Sequence, residues 1–264
     1  MIKLLGIPMD ANSSFLRGAA QAPDRIRQMD LDGSANRYSE LGIEIIPQKT
    51  YVDLGNLSFE SDDPATAFHL IRDTIEGELK DESRLLSLGG DHSISYPILS
   101  AYSQKYEGLH VLHLDAHGDL YDDYEGNTFS HASPFARVME LGRIASLTQI
   151  GIRTLTDHQR HQGSKFGVRI IEMKDHDPFL LKSMSGPLYI SLDIDALDPA
   201  FAPGVSHHEP GGFSTREVIE ILHNIEVDVV GADIVECNPA RDINNMTSMV
   251  AYKMMKEILG LMLL

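Results

Sequence analysis

The sequence predicts an α/β fold in which helices cover both faces of a mainly parallel sheet. Two observations lead to this prediction. Short β-rich apolar runs alternate with helical stretches along all 264 residues, and that alternation is typical of parallel sheets built from crossover units. The chain also shows no internal repeat, low-complexity tract or linker. Because its length does not require two domains, we expect residues 1–264 to form one.

Eight apolar runs have the length and composition of strands. They are residues 2–7, 43–46, 84–88, 109–114, 145–151, 168–172, 187–193 and 228–235. Seven stretches with helical patterns lie between or after them, near residues 23–30, 64–80, 94–106, 132–141, 155–163, 214–225 and 243–262. Pro23 and Pro64 suit the first turn of a helix, and Ser214 or Thr215 followed by Glu217 is a helix-start signal.

The composition excludes several classes of protein. A net charge of −17 argues against nucleic-acid binding, because phosphate contacts need a basic surface, and it is weakly compatible with a small cationic substrate. The single cysteine, Cys237, excludes an intramolecular disulfide and a cysteine-based zinc site. The N-terminus has the pattern of a strand and not of a signal peptide, and no apolar run is long enough to span a membrane. We therefore expect a cytoplasmic protein.

Six side chains of the kinds that bind metals lie in three short segments, each at the end of an apolar run. They are His92, then Asp115, His117 and Asp119, then Asp193 and Asp195. In the second and third segments the spacing is i, i+2, which places alternate side chains on one side of an extended strand. Four carboxylates and two imidazoles exceed the needs of one ion. They suit two divalent ions about 3.5–4 Å apart with bridging carboxylates.

Four motifs resemble the signatures of the ureohydrolase superfamily, which comprises arginases, agmatinases and their relatives. They are Gly89-Gly90-Asp91-His92-Ser93, Asp115-Ala116-His117-Gly118-Asp119, Ser191-Leu192-Asp193-Ile194-Asp195-Ala196-Leu197-Asp198-Pro199 and Asp233-Ile234-Val235-Glu236-Cys237-Asn238-Pro239. The resemblance covers nearly the whole chain, and members similar to agmatinase match it best. It implies a three-layer α/β/α sandwich, a centre of two manganese ions and a homo-oligomer, commonly a trimer or hexamer.

The resemblance also implies a role for each ligand. One ion would be held by His92, Asp115, Asp119 and Asp193, and the other by His117, Asp115, Asp193 and Asp195. Asp115 and Asp193 would thus bridge the two ions, and we count Asp119 among the catalytic residues as well. Oxygen-rich ligation with two imidazoles suits manganese better than zinc. A water molecule bound between two cations loses a proton near neutral pH and becomes a nucleophile.

Two further residues match catalytic positions of the family. Glu236 corresponds to the acid that binds and orients the guanidinium group, for which a carboxylate has suitable acceptor geometry. His131 resembles the histidine that transfers protons during turnover, and the ordinary pKa of imidazole, near 6.5, suits that task. The resemblance therefore predicts hydrolysis of a guanidino C–N bond, with release of urea and an amine.

The substrate tail is less determined by the sequence. Tyr121 stands where arginases carry an asparagine, and the acidic stretch 122–125 could attract a distal ammonium, so agmatine is the first expectation. His207 and His208 replace residues typical of agmatinases and could instead contact a carboxylate, as in 4-guanidinobutyrate; equally, they could be a surface pair. Guanidinobutyrase, arginase and a non-catalytic metal-binding relative remain as alternatives.

Overall fold

The computed structural model describes residues 1–177 and 186–264. Its eight strands form one sheet. They are β1 (Ile2–Ile7), β2 (Val52–Asn56), β3 (Arg84–Gly89), β4 (His110–Leu114), β5 (Ser146–Ile152), β6 (Arg169–Glu172), β7 (Leu188–Asp193) and β8 (Val229–Val235). Neighbouring strands follow the order β2-β1-β3-β8-β7-β4-β5-β6, and every pairing among them is parallel.

Seven α-helices accompany the sheet in the described ranges. They are α1 (Ala22–Leu31), α2 (Pro64–Glu78), α3 (Ser95–Lys105), α4 (Pro134–Glu140), α5 (Asp157–Phe166), α6 (Thr215–His223) and α7 (Met246–Met262). Pro64 opens α2 and Pro23 lies in the first turn of α1. Ser214 caps α6 in a reciprocal pair with Glu217, as the sequence predicted. No helix of the described chain is long and apolar enough to cross a membrane.

Alternate side chains of the strands feed two separate hydrophobic cores. Leu86 of β3 packs in the core that contains α1, α6 and α7, whereas its neighbour Leu85 packs in the core that contains α2, α3 and α4. Since successive residues of a strand face opposite sides of the sheet, this places a helical layer on each face. The three-layer α/β/α prediction is confirmed.

One predicted strand is wrong. Residues 43–46 form only isolated bridge contacts, and the strand in this part of the chain is β2, at Val52–Asn56. β2 lies at the edge of the sheet and is half-exposed, so its sequence contains Asp, Gly and Asn and no apolar run. The apolar Ile45 instead inserts singly into the core beside α1 and α7. The last helix also begins at Met246, three residues later than expected.

Candidate active site

The four central strands deliver the candidate residues to one edge of the sheet. In the order β3, β8, β7 and β4, the residues at or just beyond the carboxyl ends are His92, Glu236, Asp193 and Asp115. Parallel strands end at the same edge, and ligands bind in the crevice beyond it. Residues up to 144 positions apart in sequence thus become neighbours, as the hydrogen bond between His92 and Glu236 shows.

The first cluster surrounds one nitrogen of His92. Its Nδ1 atom lies 3.1 Å from Asp115 Oδ2, 3.1 Å from Asp119 Oδ2 and 3.2 Å from Asp193 Oδ2. This nitrogen is buried and makes no hydrogen bond within the described structure. A buried polar atom without a partner, facing three acids, has the arrangement of a metal ligand.

The tautomer of His92 supports that interpretation. Ser191 Oγ donates to Asp233 Oδ1 at 2.7 Å, so its single hydrogen is used. It must therefore accept the hydrogen of His92 Nε2, which lies 2.9 Å away. A neutral imidazole with its proton on Nε2 carries a lone pair on Nδ1. That lone pair points at the three carboxylates, and a metal-binding histidine is commonly oriented through its other nitrogen in this way.

The second cluster is built around His117. Its Nδ1 lies 3.0 Å from Asp195 Oδ2 and 3.4 Å from Asp115 Oδ1. Asp115 therefore offers one oxygen to each cluster, which is the geometry of a carboxylate shared by two ions. Asp193 Oδ2 faces His92, and its Oδ1 accepts the backbone N–H of Asp195 at 2.7 Å, just as Asp115 Oδ1 accepts the backbone N–H of His117 at 2.6 Å. Asp193 Oδ2 thus faces the first cluster, and the sharing of Asp193 between two ions stays a prediction.

The electrostatics of these clusters also fit cations. Burial, together with Asp195 and Asp115, raises the pKa of Asp193 well above its usual range. Burial would lower the pKa of His92, but the surrounding carboxylates outweigh this and raise it. Buried charges are normally paired or bound to metal. Four acids gathered at one point with two imidazoles therefore suit two divalent ions.

His113 lies beside the first cluster and within reach of its acids. Its Nε2 lies 2.7 Å from Asp115 Oδ2, and its Nδ1 lies 2.9 Å from the side-chain amide nitrogen of Gln149. Because Gln149 donates to Nδ1, the proton of His113 lies on Nε2 and is donated to Asp115. We therefore assign His113 to the orientation of this ligand, a role compatible with the packed strand histidine that its sequence context favours.

The backbone at the site adopts unusual conformations. Asp119 has φ of 48° and Glu236 has φ of 62°, values in the left-handed region that cost non-glycine residues about 1–3 kcal/mol and cluster at functional sites. Gly90 is also required, because a Cβ there would lie 1.7 Å from the carbonyl oxygen of Met9. The second glycine of the first motif thus permits a close approach of backbone next to His92.

His131 and Glu236 form a buried pair beside the clusters. His131 Nδ1 lies 2.8 Å from Glu236 Oε1, and the same oxygen accepts the backbone N–H of His92 at 2.9 Å. Both contacts end on Oε1, so Oε2 is the oxygen that remains for the cavity. Burial alone would lower the pKa of His131, but the charge of Glu236 and its hydrogen bond, with Asp91 and Asp119, raise it to about 9.

This pair predicts a pH dependence of stability in metal-free protein. The folded pKa of His131, about 9, exceeds the ordinary 6.5, so its contribution is complete below pH 6.5 and is lost as pH rises through 9. The contribution is up to about 3 kcal/mol. Denaturant unfolding of wild type and His131→Gln between pH 6 and 10 measures it. The difference between the free energies of unfolding of the two proteins should shrink toward high pH. A difference that stays constant with pH would contradict the prediction.

A cavity of about 170 Å³ opens above the clusters. Its wall contains the ligands His117, Asp119, Asp193 and Asp195, the pair His131 and Glu236, and also Ser14, Tyr121, Tyr124, Ala132, Thr154, Thr156, Gln159 and His207. Tyr121 and His207 therefore lie where a substrate tail would run. His208 does not line this cavity, and its ring contacts the carbonyl oxygen of Pro203 at 2.7 Å.

The acidic stretch 122–125 does not line the cavity except through Tyr124. Asp122 Oδ1 lies 3.0 Å from His158 Nε2, and Asp123 Oδ1 accepts the backbone N–H of Gly126 at 2.9 Å. Asp122 thus pairs with a residue of α5, and Asp123 bonds within its own loop. The cavity wall on this side consists of neutral hydrogen-bonding groups.

Several residues of the site were not predicted from the sequence. Ser14, Thr154, Thr156 and Gln159 line the cavity, and Ser191 and Gln149 hold ligand side chains. Signals exist for two of them. Ser191 stands two residues before Asp193, on the same side of β7, and Gln149 is directly opposite His113 in the β4–β5 register. The polar residues after β5 carry no such pattern.

Comparisons with known proteins agree with this geometry. The model of the arginase family matches residues 1–260. Arginase 1, mitochondrial, of Arabidopsis thaliana is 48% identical over 97% of this chain and 79% of its own length. Agmatinase of Bacillus subtilis is 31% identical over 97% of this chain and 90% of its own. The solved structure of arginase from Medicago truncatula superimposes with a TM-score of 0.92 at 41% identity, covering 99% of this chain and 87% of that one.

The match to the family model spans almost the entire sequence, and the relatives share the three-layer architecture that positions the two clusters. The predicted relationship to the ureohydrolases is thereby confirmed: this chain belongs to the arginase family.

Proposed function

We propose that this protein is a manganese-dependent arginase, which hydrolyses the guanidino C–N bond of L-arginine and releases urea and ornithine. The observation that carries the proposal is the pair of His/Asp clusters that share Asp115 at the base of a cavity also lined by Glu236 and His131. The agmatine specificity expected from the sequence is not confirmed. The higher identity to a plant arginase, 48% against 31% for an agmatinase, favours arginine.

The residues that would hold the ions follow from the clusters. His92, Asp115, Asp119 and Asp193 would bind one ion, and His117, Asp115 and Asp195 the other, with Asp193 as the second ligand shared by both. Five of the seven atoms that face one another within the clusters are carboxylate oxygens, which suits manganese. When bound, the ions supply Lewis-acid activation of water.

The protein side chains contribute orientation and proton transfer. Glu236 presents Oε2 to the cavity, where it would accept a hydrogen bond from the guanidinium group and fix its orientation. His131, held by the same carboxylate, would exchange a proton through Nε2 with the leaving amine. Both side chains are almost fully buried, which strengthens their interactions with a bound cation.

The neutral wall of the cavity supports a zwitterionic substrate tail. The amide oxygen of Gln159 lies 3.3 Å from the backbone nitrogen of Thr156, whose N–H it accepts, so the NH₂ end of this side chain remains as a donor. Thr156 Oγ1 accepts the backbone N–H of Gln159, and its own hydrogen is free to be donated. With Thr154 beside them, these groups can donate to an α-carboxylate, a group that agmatine lacks.

Urea release from a panel of guanidino compounds tests the proposal. With Mn²⁺, we expect kcat/KM to be highest for L-arginine, lower for 4-guanidinobutyrate, which lacks the α-amino group, and lowest for agmatine. Thr154→Val should reduce kcat/KM for arginine by about 10- to 100-fold, the worth of a hydrogen bond to a charged group, and should leave agmatine almost unchanged.

Two outcomes would redirect the proposal. Faster hydrolysis of agmatine than of arginine would restore the agmatinase hypothesis. If metal-loaded protein hydrolysed none of these compounds, the result would support the hypothesis of a non-catalytic metal-binding protein. That alternative does not require the complete constellation of ligands together with His131 and Glu236, which is why we favour the enzyme.

We further propose that the protein assembles as a trimer or hexamer and acts in the cytoplasm. Plant relatives are named mitochondrial. Sedimentation of the purified protein tests the assembly, and fractionation of the source cells tests the location.

A further inference from the structure

The loop between β1 and α1 lies along one side of the cavity and is fixed at both ends. Near its start, the backbone N–H of Asn12 donates to Asp91 Oδ2 at 3.0 Å. At its end, the backbone N–H of Gly18 donates to Asp10 Oδ2 at 2.7 Å. Between these anchors Ser14 is exposed and lines the cavity. The position of this loop therefore determines what Ser14 contacts.

Ser14 contacts His131 twice. Its backbone nitrogen lies 3.0 Å from His131 Nε2, with its N–H donating, and its Oγ lies 2.7 Å from the same atom. A backbone N–H cannot reverse its direction, so Nε2 must present a lone pair. On the other side of the ring, Nδ1 faces Glu236 Oε1, an acceptor. The neutral ring thus carries its proton on Nδ1, and both neighbours enforce this tautomer.

Proton uptake at Nε2 changes these contacts. The new N–H would face the Ser14 backbone N–H, and two donors repel each other. The hydroxyl is the one Ser14 group near Nε2 that can change role, since its hydrogen can rotate away and leave Oγ as an acceptor. Ser14 neither gains nor loses a proton in this change.

We propose that Ser14 is a positioning residue for His131: its backbone N–H binds the lone pair of Nε2 in the neutral ring, and its hydroxyl accepts the hydrogen bond of Nε2–H in the protonated ring. The proposal rests on the proton-transfer role of His131 stated under the proposed function. It adds a residue outside the four motifs and a reason for the fixed position of the loop between β1 and α1.

The charged surroundings of His131 agree with a ring that must become cationic. Glu236 at the end of β8, Asp91 after β3 and Asp119 after β4 favour the protonated form, and they raise the pKa of His131 to about 9 against the effect of burial. The ring of His207 faces it with a centroid distance of 5.5 Å and opposes a positive charge on its neighbour only weakly, because burial lowers the pKa of His207. The carboxylates favour the protonated ring, whereas the Ser14 N–H disfavours a proton on Nε2. The Ser14 hydroxyl, which can accept from Nε2–H, adds to the stability of the protonated ring.

Ser14→Ala tests the hydroxyl while keeping the backbone N–H. With Mn²⁺ and arginine, we expect kcat to fall about 10- to 100-fold, the worth of a hydrogen bond to a charged group, with KM within about twofold. Ser14→Thr should restore kcat, because it retains a hydroxyl. Ser13→Ala is the matched control, since Ser13 Oγ lies 3.3 Å from Asp91 and has no described bond to His131. It should behave like wild type.

NMR measures the tautomer and the pKa of His131, two properties that Ser14→Ala would leave unchanged if Ser14 were merely structural. ¹⁵N spectra of the full chain, recorded at a pH above the His131 pKa of about 9 and before paramagnetic Mn²⁺ is added, should show neutral His131 with its proton on Nδ1. In Ser14→Ala the pKa of His131 should fall by about one unit or more. A neutral wild-type ring with its proton on Nε2, or Ser14→Ala with unchanged kcat and unchanged pKa, would overturn the proposal. So would a loss of kcat that Ser14→Thr does not rescue.

The His131→Ala variant separates this proposal from the proposed function. If His131→Ala retains full activity, the proton-transfer role of His131 is wrong, and the tautomer and pKa measurements still decide whether Ser14 positions the ring. If His131→Ala is inactive while Ser14→Ala leaves kcat, the His131 tautomer and the His131 pKa unchanged, the role of Ser14 alone is rejected.

Discussion

Replacement of His131 by alanine is expected to reduce turnover by roughly 10²–10⁴-fold, the usual contribution of a positioned acid–base group. The side chain lies outside both ligand clusters and is bonded to Glu236 and Ser14, so manganese content should stay at the wild-type level. The loss should appear in kcat and not in KM, because proton transfer occurs in or after the transition state. Steady-state kinetics with elemental analysis measure both quantities.

Glu236→Gln is the contrasting variant. It keeps the shape of the side chain but removes the charge that would face the guanidinium and that holds His131 Nδ1. We therefore expect both a higher KM and a lower kcat. Loss of metal in His131→Ala, together with wild-type behaviour of Glu236→Gln, would show that both role assignments are wrong.

Asp115→Ala should remove both ions and abolish activity. Asp115 faces His92 through Oδ2 and His117 through Oδ1, so each proposed ion loses a ligand in a single substitution. We expect manganese content to fall from about two ions per chain to near zero at concentrations that saturate wild type. Asp193→Ala should weaken the His92 side more strongly, and should affect both sides only if Asp193 also bridges.

Two controls make the metal prediction specific. Asp122→Ala removes an acid of the nearby loop that pairs with His158 and lies outside both clusters, so its metal content should be unchanged. His92→Ala should weaken one ion more than the other. A single tightly held ion in fully active wild-type protein, found by elemental analysis, would refute the assignment of two metals.

The fold could be predicted wherever burial requires a recognisable pattern of apolar residues. The central strands are buried on both faces, so β3, β7 and β8 read as continuous apolar runs and were placed within one or two residues. The edge strand β2 is half-exposed and carries Asp53 and Gly55. Its pairing with β1 depends on the neighbouring strand and not on its own composition, and so the sequence alone misassigned it.

The residues of the site likewise include some that the sequence predicts and some that it does not. His92, Asp115, His117, Asp119, Asp193 and Asp195 were identified because short motifs place them at strand ends, and the structure brings them together. The role of the acidic stretch 122–125 stays a prediction, and the structure adds that Asp122 pairs with His158 and that Asp123 accepts the backbone N–H of Gly126. The direction of a loop side chain depends on partners that are distant in sequence.

By itself, the sequence determined the alternating architecture, the set of candidate ligands and the family, because each depends on residue types at short spacing. The tertiary structure decided which oxygen of Asp115 faces which imidazole, that Asp193 Oδ2 faces His92, and that Ser14 contacts His131. The sheet order places β8 and β7 between β3 and β4, which are consecutive in the chain. Only this arrangement brings four loops to one cavity, and no local pattern encodes the contacts made there.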